Sequence, residues 1–197
     1  MKKLFSVILA FVLVLSFAAC TKNKSADAPQ EVTQTVFVDK AALEQNVTDG
    51  KIPEMEYALG QDVEALKTDL EQQPQENADD EDYAGPYTLL EKADYTVIST
   101  GIFRQFEYCC RADGKVSAVA TSDAAFGLEN GTFINEIELA LSDVAEKKQG
   151  VKVAWLPSGV LCDCLTAAFG ENAVSFLFVD DQLVKTVVYR AEEWTIQ

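Results

Sequence analysis

Four cysteines in the body of the chain, Cys109, Cys110, Cys162 and Cys164, have side chains that can do chemistry with no cofactor. Three fates are open to them: a disulfide from one pair to the other, buried free thiols, or a thiolate site for Zn²⁺ or Cu(I). On a strand, adjacent residues point to opposite faces. Cys110 then shares a face with Phe106 and Tyr108, and Cys109 shares the other with Gln105 and Glu107. Cys110 is therefore expected inside and Cys109 exposed. Cys162 and Cys164 share one face, so a single bridge to the first pair is easier to build than two. The spacing is not the Cys-x-x-Cys of most structural zinc sites. No base flanks Cys162 or Cys164, and Asp163 between them opposes ionisation. No metal is assigned.

Other catalytic patterns are missing. The chain has no His, which removes the commonest general base and metal ligand. Ser99, Ser122, Ser158 and Ser175 sit in no Gly-x-Ser-x-Gly elbow and no Ser-x-x-Lys motif. No Gly-x-Gly-x-x-Gly or phosphate loop occurs, so no cofactor is expected. With 32 Asp and Glu, paired carboxylates carry no information. The acidic run 77–82 has consecutive acids and a late Gly85, unlike the alternating ligands of a calcium loop. It reads as a solvated loop.

The 197 residues carry 16 Lys and Arg, a formal net charge of −16 and a pI near 4.3. So acidic a field excludes a nucleic-acid backbone as partner and favours cationic ones. Hydrophobic residues make up 48%, enough to bury a core. At the N-terminus, Lys2 and Lys3 precede an apolar run from residue 4 to residue 17, broken by Ser6 and Ser16. Ala18 and Ala19 then precede Cys20. A run this short with a small-residue processing site is an export signal.

The sequence Phe17-Ala18-Ala19-Cys20 resembles the lipobox of bacterial lipoproteins, with Phe17 where Leu is usual. The resemblance implies cleavage before Cys20, which is then lipidated and becomes the first mature residue. Losing Lys2 and Lys3 leaves 14 bases against 32 acids, net −18. Such a surface is repelled by anionic head groups, so lipid alone would hold it at the membrane. Residues 1–19 are thus a signal peptide, 20–34 the lipidated Cys with a polar tether, and 35–197 the domain.

The domain reads as α+β. Residues 35–38 alternate as a first strand, and 46–50 as a turn. Within 55–72 the better helix starts at a capping Asp62, with Val63, Leu66 and Leu70 on one face. Strands follow at 95–99, 103–110 and 116–121, with Asp113-Gly114 as a hairpin turn. A second helix carries Ile134, Ile137, Leu141 and Val144, with Lys147 and Lys148 at its end and Gly150 as stop. A strand over 151–156 precedes Pro157-Ser158-Gly159. Residues 160–169 alternate as a strand, though caps at either end also permit a helix. Strands 174–179 and 183–189 flank Asp180-Asp181-Gln182. Phe103, Phe106, Tyr108, Trp155, Phe176, Phe178 and Tyr189 fall mainly on inward strand faces. Trp194, beyond the last strand, is either an exposed interface anchor or a packed tail.

A period near 70 links these elements. Val63, Leu66 and Leu70 recur 71 residues later as Ile134, Ile137 and Leu141. Phe106-Glu107-Tyr108 recurs 70 later as Phe176-Leu177-Phe178. The fold class expected is α+β, a duplicated unit of helix packed on antiparallel sheet, with halves 52–122 and 123–190. This order of elements resembles the tandem units of β-lactamase inhibitor protein and of small outer-membrane assembly lipoproteins of the SmpA/BamE kind. The resemblance implies protein binding through the sheet rather than catalysis. The expectation is a lipid-anchored, non-catalytic binding or assembly module of the cell envelope. Its partner would be an envelope protein or peptide, cationic in character. The alternative is an envelope thiol, metal or redox protein using Cys109, Cys110, Cys162 and Cys164.

Overall fold

The computed structural model describes residues 36–73, 85–101 and 103–194. The signal run, Cys20, the tether, Thr35 and the acidic run 77–82 lie outside these residues. Three helices and eight strands follow in chain order: α1 Lys40–Thr48, α2 Val63–Gln72, β1 Thr88–Glu91, β2 Thr96–Thr100, β3 Phe106–Cys110, β4 Val116–Thr121, α3 Ile134–Leu141, β5 Ala145–Val151, β6 Cys162–Phe169, β7 Asn172–Val179 and β8 Gln182–Arg190. All eight strands form one antiparallel sheet in the order β1-β2-β3-β4-β8-β7-β6-β5. The fold is α+β and mostly sheet. No helix among the described residues is long and apolar enough to cross a membrane.

Side-chain alternation sorts β7 onto two cores. Val174, Phe176 and Phe178 face one side, Ala173 and Leu177 the other. The first core buries Leu43 and Val47 of α1, Leu66 and Leu70 of α2, and Ile137 and Leu141 of α3 against the large side chains of the sheet. The second core has a floor of small residues, including Cys109, Ala118, Ala120, Cys164 and Ala173. A small-residue floor leaves room for rings, and Trp155 and Trp194 fill it.

Asp62 starts α2 as expected, accepting from the amides of Glu64 and Ala65 at 3.0 Å each. The Asp113-Gly114 hairpin, the β7–β8 hairpin and the strand at 162–169 also agree with the sequence pattern. In the β7–β8 turn both Asp180 and Asp181 adopt positive φ, 51° and 63°.

Five expectations are corrected. Residues 36–38 form no strand; Asp39 caps α1 instead, accepting from Ala42 at 3.1 Å. Asn46 then belongs to α1, and the turn narrows to Asp49-Gly50. The strand expected from residue 103 begins at Phe106. Lys147, Lys148 and Gly150 do not end a helix: α3 stops at Leu141, and these residues lie in edge strand β5. No strand continues from Val151 to residue 156. Strand β1, with all four residues exposed, has no counterpart in the sequence reading.

Candidate functional site

The four cysteines do not meet. They are free and buried, and β4, β8 and β7 separate β3 from β6. Four strand steps of about 4.8 Å put roughly 19 Å of sheet between the pairs. A disulfide needs Cα atoms within about 7 Å, so the anticipated bridge does not form. Cys110 lies in the helix-side core, as alternation requires. Cys109 was expected at the surface and is fully buried, because Trp155 and Trp194 roof that face. Its carbonyl accepts from the Ser117 hydroxyl at 3.2 Å.

Burial sets the reactivity of the thiols. It pushes Cys110 to about 12 even with the Lys67 charge opposing the rise. It pushes Cys162 to about 11, with Cys164 and Asp163 adding to the effect. Cys109 is raised by burial, then by Glu107; Cys164 is raised by burial, with Thr166 opposing. All four thiols stay protonated at neutral pH, which suits core packing and not nucleophilic attack.

Trp194 is a packed tail, 7% exposed. Its indole N–H donates to the Ser117 hydroxyl at 3.2 Å. Its ring meets Tyr95 edge-on at 5.0 Å and Trp155 at 5.3 Å. The Arg111 guanidinium stacks over it at 4.5 Å and also donates to the Glu193 carbonyl. The roof is fastened at its other end by Lys185, which reaches Glu107 at 2.7 Å and the Trp155 carbonyl at 3.0 Å. Sequence reading missed this pair, since 78 residues separate its members and nothing marks either locally. Behind it, half-buried Thr166 and buried Ser175 and Tyr189 form a hydroxyl chain at 2.8 and 3.1 Å.

One open cleft of about 740 Å³ lies beside this roof. The start of α2, the β1–β2 turn, the β3–β4 turn and Glu193 line it. Lys67, Lys92 and Arg111 bring three cations there, against Asp94, Asp113 and Glu193. In a chain so acidic, this is a site of balanced charge. Such a wall can hold charged side chains of either sign; the Cys110 thiol also lines it, pushed up to about 12 by burial against the pull of Lys67. A smaller hollow of about 160 Å³ is lined by Asp163, Asp180 and Asp181. Asp163 there already caps the Gly150 amide at 2.9 Å.

No family model matches the chain, and no curated protein matches it. Among solved structures, a DUF4309 family protein (YjgB) from Bacillus subtilis is similar at a TM-score of 0.42 and 9% identity. The match covers 75% of this chain and 93% of that one.

Proposed function

We propose that the chain is a bacterial lipoprotein, anchored through Cys20, that acts as a non-catalytic binding or assembly module on the outer side of the membrane in the cell envelope. The address rests on the apolar run ending Ala18-Ala19-Cys20. The open cleft of both charge signs carries the binding reading: it presents recognition groups, while the thiols are buried and held neutral. Its partner is an envelope protein or peptide, drawn in by the net charge of −18 after processing. The thiol, metal or redox alternative loses support because its two cysteine pairs stand on separated strands.

We further propose that the domain is a duplication, with halves 52–122 and 123–190. Each half is a helix followed by four strands, and the two meet at their last strands, β4 and β8. Each helix begins against the turn of its own final hairpin. Asp62 bridges Lys115 and the Val63 amide donates to the Gly114 carbonyl; Phe133 bridges Gln182 and the Ile134 amide donates to the Asp181 carbonyl.

Replacing Cys20 with Ala tests the address, and the variant should leave the membrane fraction. Retention after washing would overturn the anchor. Capture from envelope extracts, run beside esterase, glycosidase and peptidase substrates, tests the activity. Turnover lost on mutating one acid of the cleft or one buried Ser would replace the binding reading with an enzymatic one.

A further inference from the structure

The sheet has two edges, built differently. β5 carries Glu146, Lys147 and Lys148, a register shift between Lys148 and Val151, and Gly150 at φ +60°. Charge and bulging are the devices that keep a sheet edge from pairing. β1 has neither. Its sequence is Thr-Leu-Leu-Glu, its pairing with β2 is unbroken, and Leu89 and Leu90 are 50% and 51% exposed on opposite faces.

Its free hydrogen-bonding groups can be identified. The Lys92 amide donates to the Tyr95 carbonyl at 2.9 Å, so 92 and 95 are a bonded pair. Bonded and non-bonded pairs alternate in an antiparallel ladder. Leu90 and Thr88 therefore bond inward to β2, and Leu89 and Glu91 turn their N–H and C=O outward. Side chains of Leu89 and Glu91 share one face.

Beside this edge stands Phe103, 86% exposed. Its amide donates to Gln105 Oε1 at 3.0 Å. Arg104, at φ +56°, donates to the carbonyls of Pro86 and Gly85 at 3.1 and 2.7 Å, tying Phe103 to the chain entering β1. Gly101 lies at φ +86°, and a Cβ there would come 2.6 Å from Gln105 Oε1.

We propose that the β1 edge binds an extended segment of a partner protein as a ninth strand, and that this segment carries a basic residue followed by two apolar ones, to lie opposite Glu91, Leu90 and Leu89 in turn. This names the partner mode of the binding function proposed above and rests on that reading. An apolar residue would face Leu89 and a Lys or Arg would face Glu91, with Leu90 covered from the other side. Charge supports the basic character. The eleven residues immediately before Gly85 in sequence carry five carboxylates and no base, and the whole chain is at −16. The same charge opposes a second copy: pairing β1 with itself about Leu90 would set Glu91 against Leu89 of the other chain.

The test uses the full chain in mild detergent, with a fluorescent heptapeptide carrying Lys-Val-Val at its centre as probe. Saturable binding is expected, weakening as salt rises and absent for the Glu-Val-Val counterpart. Leu89→Pro removes one outward donor while leaving the bonds to β2, so it should weaken the probe at least about tenfold at an unchanged urea midpoint. Leu89→Lys, which sets a like charge on the edge, should do the same. Failure of the unaltered chain to bind the probe overturns the proposal, as does unchanged binding by both variants. Tight binding in both variants would still leave a cation-binding module, with its site elsewhere. A dimer in light scattering that Leu89→Pro dissolves, without probe binding, would assign the edge to a second copy and overturn it also.

Discussion

Burial lifts the thiol of Cys110 to about 12 and that of Cys162 to about 11. An unfolded thiol ionises near about 8.5. Between those values the unfolded chain has lost protons that the native chain keeps, so stability falls as pH rises. The contribution is intact below about pH 8.5 and is lost upward through about 11 to 12. The urea midpoint should therefore decline over that window, and less steeply in a Cys110→Ala, Cys162→Ala double variant. An equal decline in both would remove the thiols as its cause. Trp194 gives a second residue-scale expectation. Trp194→Ala should cost about 3 kcal/mol or more, because it empties the roof and leaves Ser117 and Arg111 without their ring. A midpoint shift near zero would mean that the roof is not structural. Side-chain alternation placed Cys110 correctly and Cys109 wrongly for one reason. The pattern tells which face a residue takes, but not that a distant Trp155 covers that face.

α2 hangs on Asp62, whose side chain takes two otherwise unpaired amides. Asp62→Ala should cost about 1 kcal/mol, read as a lower urea midpoint with an unchanged slope. No change would mean that the bridge of residue 62 to Lys115 holds the start of the helix unaided. Elements with strong periodicity or a capping residue were legible: α2, α3, β4, β7, β8 and both of the tight hairpin turns. Those lost from view have a common character. α1 is polar over most of its length, with only Leu43 and Val47 buried, so it lacks an apolar stripe. β1 buries nothing, so it has no alternation to read. β5 is charged along its middle, and the same lysines that guard an edge look like the end of a helix. The candidate cleft was invisible for a further reason: its walls come from α2, two separate turns and Glu193.

Net charge belongs to the molecule as a whole. Raising salt from about 0.1 to about 1 M shrinks the Debye length from about 10 Å to about 3 Å. Association with an envelope partner should slow accordingly, with dissociation less affected, and stopped-flow binding would read the two rates separately. Salt-independent association would remove the electrostatic part of recognition while leaving the edge itself to be judged by the Leu89 variants.

The order of the sheet has a consequence for how the molecule is born. β8 is the last strand of the described chain, yet it sits at the centre, between β4 and β7. A chain made from its N-terminus has β1 to β7 available before the strand that joins them exists. Until then β4, buried along its whole length in the finished molecule, and β7, nearly so, each present an unpaired edge. Two half-sheets must wait for one late keystone. That delay makes the waiting interval the moment of greatest exposure to aggregation. Made without residues 1–20, a chain stopped at Asp181 should therefore leave soluble extracts, while a chain stopped at Trp194 should remain in them.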